Sequence, residues 1–347
     1  MNHRVHIPTG DQLIELLGLP EKAAPEAVLA AIDTALHGPL VDFLNRPGKT
    51  LRGQMVEIGY GLALGADADD QSRERTRILC DGLSNCVEAL HAGSLIVDDI
   101  EDDSEVRRGQ PTLHRRYGVA VALNAGNWLY FRALHHLLSL NMRADIERRC
   151  IDLLNRTLLR AHYGQAIDVG MPIDACEQAE AYDLCMTAIR LKSGTLTSLA
   201  LSLGGAAASG GDDCLILLER IGERLGTALQ LFDDLRNLER PDPHDPTRSK
   251  RLEDLYQRRP SWIWAIAAQT LSPRDYSDFK DAVRQLPDET LLDDWLTRRQ
   301  LKQMADNAAR AYLDETLSFA RDALGEGPAV ETAIGRIQAV SKMISGA

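Results

Sequence analysis

Apolar residues recur at three-and-four spacing over residues 25–45, 50–64, 72–103, 117–140, 144–170, 176–208 and 212–239, and glycine, proline or polar breaks separate the segments. That period predicts a succession of helices and no strands. From Arg251 the pattern resumes in shorter helices up to Gly327, and a last helix is predicted from Ala329 to Ile344. Between the two runs lies Glu239 to Ser249, ERPDPHDPTRS, whose three prolines cannot continue a helix and predict an exposed loop. Gly204 to Gly211, GGAAASGG, lacks the lysine and the preceding strand of a phosphate-cradling loop. It reads as a helix–helix connection, with Asp212 as the N-cap of the next helix. No repeat or low-complexity tract divides the chain, so residues 1–347 are expected to form a single all-helical domain.

Composition supports the helical reading and narrows the partners. Leucine and alanine dominate and aromatics make up only 5% of the chain, so helices are the expected building block. A net charge of -12 argues against nucleic acid and does nothing to attract an anionic membrane. Any anionic substrate needs local positive charge or metal ions. The cysteines at 80, 86, 150, 176, 185 and 214 show neither CxxC nor zinc spacing, and read as free thiols in a reducing cytoplasm. No apolar run approaches the roughly 18 residues of a spanning helix, and the N-terminus lacks a signal-peptide pattern. A cytoplasmic protein without a membrane span is therefore expected.

Two polar stripes interrupt the apolar pattern. In Ser94 to His114, SLIVDDIEDDSEVRRGQPTLH, Asp98 and Asp102 stand four apart on a helix, as do Asp99 and Asp103. Carboxylates so close repel unless a cation intervenes. All-oxygen ligands without Cys or His favour magnesium, which takes one or two carboxylates together with waters and substrate phosphates. Arg107 and Arg108 follow at once and suit a phosphate. The second stripe is Gln230, Asp233, Asp234 and Asn237, at i, i+3, i+4 and i+7 of an otherwise apolar helix. Facing stripes in a helical bundle would hold divalent ions and, through them, a diphosphate. An acidic string alone is more often a solvated helix end; the rest of the sequence decides against that reading here.

These residues lie in a series of motifs that resembles the trans-isoprenyl diphosphate synthases, the polyprenyl synthetase family. Asp98, Asp99 and Asp102 match its first Asp-rich motif, and Arg107, Arg108, Gly109, Pro111, Thr112 and His114 match the RRGxPTxH that follows. His91 stands seven residues before Asp98. PGKTLRG resembles the family's GGKxxRP through Lys49 and Arg52, GQAIDVG supplies Gln165 and Asp168, and RLKSGTL supplies Lys192 and Ser193. GTALQLFDDLRN matches the second Asp-rich motif through Gln230, Asp233 and Asp234. Together these cover residues 45 to 265, in family order.

The resemblance implies an isoprenoid synthase-type helical bundle with a central cavity, commonly a homodimer. It implies a head-to-tail prenyltransferase: three magnesium ions on Asp98, Asp102 and Asp233, with Arg107, Lys192 and Lys250, ionise an allylic diphosphate. Lys49, Arg52, His91 and Arg108 hold isopentenyl diphosphate, while Gln165, Asp168, Ser193 and Gln230 line the polar side. Small residues before the first Asp-rich motif, Gly93 and Ser94, suggest a C20 or somewhat longer product. Cys86, Leu90, Trp128 and Phe131 are candidates for the cavity floor. Alternatives are a class I terpene cyclase-like or unusual-coupling enzyme, which has no use for a second diphosphate site, and a non-catalytic partner subunit, which usually lacks the first acidic motif.

The chain departs from the pattern at several points. Asn237 stands where the second motif has a third Asp, which removes one formal charge from a metal site. Lys250 precedes Asp254 by four residues instead of five, and Arg258 with Arg259 replaces a Gly-Lys pair. Pro47, Gly53 and Asn127 replace a Gly, a Pro and an acidic residue.

Overall fold

The computed structural model describes residues 5–18, 24–48, 51–64, 70–239 and 251–345, with side chains from residue 77 in the long helix that begins at 70. Lys49 and Lys250 lie outside the described residues, as does most of the Glu239–Ser249 segment. The fold is all-α, in two compact units: Met1–Gly53 with Asp81–Asn141, and Gln54–Cys80 with Met142–Ala347.

In the first unit, α1 (Gly10–Leu17) is followed by α2 (Glu26–Ile32) and α3 (Gly38–Leu44), joined through the π turn Asp33–His37. Glu26–Leu44 is thus one continuous helix of 19 residues with a mean hydropathy of 1.4, long and apolar enough to cross a membrane by length and composition alone. That corrects the expectation of no such run: Asp33, His37 and Asp42 break the apolar pattern and lower its average, but the apolar residues between them keep the mean at 1.4. α4 (Leu51–Leu64) starts in this unit, where the Gly53 N–H donates to Glu88 at 3.1 Å and the Ser84 hydroxyl donates to the Gly53 carbonyl at 3.1 Å. α5 (Asp70–Glu101) runs for 32 residues and ends inside the first acidic cluster.

Immediately after α5 comes a feature the helical period did not predict. β1 (Val106–Arg107) and β2 (Gln110–Pro111) pair antiparallel, with Val106 opposite Pro111. The two residues between them, Arg108 (φ 54°) and Gly109 (φ 75°), both have positive φ. That is the sign pattern of a type I′ hairpin turn. Strands of two residues are too short to leave a period of two in the sequence. α6 (Leu113–Tyr117) and α7 (Val119–Leu138) complete the unit. Helices α5 and α7 approach closely at glycines: a Cβ on Gly93 would stand 2.8 Å from the Gly126 carbonyl oxygen.

The second unit is built on α8 (Ala144–Gly170), α9 (Gln178–Ile189), α10 (Thr195–Ala207) and α11 (Asp212–Arg236). Every residue of α10 is buried, which explains its nearly unbroken apolar and small composition. Glycines let α4 reach it: a Cβ on Gly204 would lie 2.0 Å from the Val56 carbonyl oxygen, and one on Gly59 would lie 2.0 Å from that of Leu201. Gly204 to Ala207 therefore belong to a helix, and only Ala208–Gly211 connect. The N-cap of α11 is Gly211, and Asp212 opens the helix without a side-chain cap. On the outer side of α11, Glu219 and Glu223 pair with Arg156 and Arg160 of α8.

Beyond the undescribed segment come α12 (Glu253–Tyr256), α13 (Trp262–Thr270), α14 (Pro273–Arg284), α15 (Thr290–Arg299), α16 (Leu301–Leu324) and α17 (Pro328–Ser345). Trp264, Tyr276, Phe279 and Trp295 form an edge-on and tilted aromatic cluster that joins α13, α14 and α15.

Candidate active site

Each unit carries one of the predicted polar stripes. In the first unit, α5 keeps its last turn to the end of the motif, with the Asp102 N–H donating to the Asp98 carbonyl at 2.9 Å. This places Asp98 and Asp102 one turn apart, as predicted. Asp103 has left the helix, with φ 50°, so the predicted pairing of Asp99 with Asp103 does not form; Asp103 instead meets Arg115 at 2.8 Å.

Asp99 is buried and turned to the hairpin. Its Oδ1 accepts from Arg107 Nε at 2.8 Å and lies 2.6 Å from Arg107 Nη2, which also stands 3.5 Å from Asp98 Oδ2. The carboxylate pair of the motif is thus divided. Asp99 orients Arg107, and Asp98 with Asp102 supplies oxygens of the type magnesium takes. Among the described residues no three Asp, Glu, His or Cys side chains gather as a metal cage. Such sites suit a cation that completes its shell with substrate and water oxygens.

Further cations gather around His91 in this unit. The His91 pKa is held well below 6.5 by burial and by Arg52, Arg108 and Arg107. Arg108 is itself lowered by burial, Arg107, Arg46 and Arg52, against the opposing charge of Glu88. A group of positive charges so arranged is complementary to an anion. Arg46 was not predicted from the sequence; it sits in no motif, and only its proximity to Arg107 and Arg108 reveals it.

In the second unit, the π turn Arg190–Gly194 between α9 and α10 sets Lys192 and Ser193 on one side. Such turns often mark functional positions. Lys192 Nζ lies 2.7 Å from Asp168 Oδ2 on α8. The Ser193 hydroxyl donates to Gln230 Oε1 at 2.7 Å, Gln230 Nε2 donates to Asp234 Oδ1 at 2.8 Å, and the Trp262 N–H donates to Asp234 Oδ2 at 2.8 Å. Asp234 is buried and takes donors on both oxygens, whereas Asp233 is exposed and paired with Arg236 at 2.9 Å. Burial raises the Asp234 pKa well above the usual carboxylate range, reinforced by Asp254 and opposed by Gln230 and Trp262. Of the two, Asp233 is the one exposed to solvent. Gln165 sits half-buried on α8, one turn before Asp168.

Asn237 does not leave a gap. Its Nδ2 donates to Asp254 Oδ2 at 3.0 Å, and its carbonyl accepts from the Leu252 N–H at 2.7 Å. Asp254 thus brings a carboxylate to the position that the Asn had seemed to leave uncharged. Arg259 follows on the same segment and donates to the Asp168 carbonyl at 3.2 Å. Neither was counted as a site residue from the sequence, although Asp254 and the Arg258-Arg259 pair stand in motif positions. Arg258 occupies positive φ (59°), which explains why glycine suits that position.

The chain-length positions are corrected in part. Cys86 and Leu90 are packed on all sides within this unit, whereas Phe131 is 74% exposed and lines no floor within it. Gly93 packs against α7, and Ser94 donates to the His91 carbonyl at 2.9 Å.

Comparison with known proteins agrees with these features. The polyprenyl synthetase family matches residues 33–295. Geranylgeranyl pyrophosphate synthase 2 of Zymoseptoria tritici is 27% identical over 330 residues, 91% of this chain and 88% of that protein. Geranylgeranyl pyrophosphate synthase olcC of Penicillium canescens is 32% identical over 59% of this chain and 55% of its own length. The same fold is seen in geranylgeranyl pyrophosphate synthase from Corynebacterium glutamicum, complexed with isoprenyl diphosphate and magnesium, at a TM-score of 0.74 and 20% identity over 96% of this chain and 95% of that one. The chain belongs to the polyprenyl synthetase family. It is an isoprenyl diphosphate synthase, a head-to-tail prenyltransferase that joins isopentenyl diphosphate to an allylic diphosphate.

Proposed function

We propose that this synthase makes the C20 product, geranylgeranyl diphosphate, with three magnesium ions and as a homodimer. The alignment over 91% of the chain with a geranylgeranyl pyrophosphate synthase carries the product assignment. The small side chains of Gly93 and Ser94, one turn before the first Asp-rich motif and above the buried Leu90 and Cys86, support it, because α5 itself places no aromatic ring at those two positions.

Asp98 and Asp102 would hold magnesium in one unit and Asp233 in the other. The ions would supply charge neutralisation that makes the allylic diphosphate a leaving group. Arg107, oriented by Asp99, and Lys192, oriented by Asp168, would carry positive charge to the departing diphosphate, with Lys250 as a further cation. Lys49, Arg52, His91 and Arg108 would hold isopentenyl diphosphate so that its double bond is oriented for attack, with His91 neutral and donating a hydrogen bond. Ser193 and Gln230 brace Asp234, and the remaining amide at Gln165 lines the polar side. The diphosphate released can take the proton lost at the end, so none of these side chains is needed as a base.

Two further readings have support of their own. Exposed apolar side chains on α7 (Val119, Leu123, Phe131) and on α8 (Leu159, Tyr163) support a homodimer, whose mass would be twice 38.3 kDa. Six free cysteines support a reducing compartment such as the cytoplasm.

The test is to incubate the protein and magnesium with isopentenyl diphosphate and each allylic diphosphate from C5 to C20, and to identify the dephosphorylated products. A C20 alcohol from the C15 starter, with no extension of the C20 starter, is expected. Products from an allylic substrate alone would favour cyclisation, and no release of diphosphate would favour a partner subunit.

A further inference from the structure

Arg46 lies two residues beyond α3 and is 6% exposed, an unusual place for a guanidinium. Its surroundings are already positive, with Arg52, Arg107 and Arg108 in the same unit. A Leu or Met of similar length would pack there without the cost of burying a charge, so the burial calls for a specific role. The contacts show a fork. Arg46 Nη2 donates to Asp42 Oδ2 on α3 at 2.9 Å, and Nη1 donates to the carbonyl of Arg107 on β1 at 3.3 Å. One side chain therefore ties a helix to the strand that leads directly into the Arg108 turn.

Arg108 is held from two sides in the same neighbourhood. Its guanidinium lies 5.5 Å from the centroid of the Phe43 ring, and that of Arg46 lies 5.6 Å from the same ring. Phe43 is fully buried and so is fixed in place. On the other side, a Cβ on Gly48 would stand 2.8 Å from the Arg108 guanidinium carbon, so the guanidinium rests against the chain at a residue with no side chain. Asp42 is anchored in turn by Arg116 at 3.3 Å. Arg108 has its backbone at φ 54°, where an L residue needs outside support.

We propose that Arg46 is a positioning residue for Arg108, which through its fork to Asp42 and the Arg107 carbonyl fixes the hairpin turn and makes isopentenyl diphosphate binding depend on it. The inference rests on the reading of Arg108 as an isopentenyl diphosphate ligand. Lysine cannot replace the fork, because a single ammonium cannot span two acceptors in the same planar geometry.

Steady-state kinetics of the full-length enzyme, with each substrate varied in turn, tests this on Arg46→Met, Arg46→Lys, Arg108→Lys and the double variant Arg46→Met/Arg108→Lys. Arg46→Met is expected to raise KM for isopentenyl diphosphate about tenfold, with KM for the allylic diphosphate and kcat within about twofold. Arg46→Lys should fall between wild type and Arg46→Met. In the double variant, the loss should be no greater than in Arg108→Lys alone, since on this proposal Arg46 acts only by positioning Arg108. Equal rises in both KM values, or additive losses, would overturn the proposal. If Arg108→Lys itself leaves KM for isopentenyl diphosphate unchanged, the reading of Arg108 fails and the proposal with it. Should Arg46→Met lack the wild-type circular dichroism spectrum, Arg46→Lys decides by the same split between the two KM values.

Discussion

Asp99 shows how little the identity of a residue says about its role until its partner is known. It belongs to an acidic motif, yet its carboxylate is buried and aimed at Arg107. Asp99→Asn should lower kcat by about 100-fold, through a misplaced Arg107, in steady-state assays at saturating magnesium. Excess magnesium should not restore the rate; restoration would place Asp99 among the metal ligands. His91 offers a test by pH. Its pKa in the folded chain is held well below 6.5 by burial and by Arg52, Arg108 and Arg107. The unfolded chain therefore binds the proton first as pH falls below about 6.5, and stability drops with it, by at most about 1.4 kcal/mol per pH unit. Urea unfolding between pH 7.5 and 5.5 should show a steeper loss for wild type than for His91→Asn. Parallel losses would remove His91 from the account.

Among elements, the helices were legible and the connections were not. The three-and-four period located α5, α7, α8 and α11 to within a few residues, because each buries one face over many turns, while α9, the π turn and α10 were legible only as one segment, 176–208. The hairpin at Arg108 went unseen because two-residue strands leave no period. The glycines of GGAAASGG were read as a break, whereas Gly204 lies in α10 and admits the backbone of α4. Both acidic stripes were legible as stripes. What the sequence could not convey is which carboxylate faces which partner, as at Asn237. Asn237 donates to Asp254, so Asn237→Asp would set two carboxylates against each other and weaken the hold of α11 on α12. The variant should melt at a lower temperature, with no fall in its magnesium requirement; a lower requirement would restore the view that the Asn limits metal binding. Arg258→Gly should raise the melting temperature by about 1–2 °C, since it relieves about 1 kcal/mol of left-handed backbone strain. A decrease would show that the Arg258 side chain contributes more than its backbone costs.

For the whole molecule, a net charge of -12 has to be reconciled with two anionic substrates. On the proposed reading local arrangement does this: in one unit Arg52, Arg107 and Arg108 lie near one another, with Arg46 behind them, and in the other Lys192 and Arg259 stand beside Asp168. The half-buried Asp98 and Asp102 and the exposed Asp233 would then serve as acceptors for cations that the diphosphate brings with it. Light scattering should give about twice the chain mass if the exposed apolar residues of α7 are an interface, and Phe131→Glu should reduce it to that of one chain. The central claim is that chain elongation, and not cleavage of an allylic diphosphate by itself, is the reaction. It is tested most directly by counting pyrophosphate released against isopentenyl diphosphate consumed, with magnesium and a C15 allylic diphosphate. One pyrophosphate for each isopentenyl diphosphate, and none in its absence, is the predicted result; pyrophosphate released without isopentenyl diphosphate would contradict it.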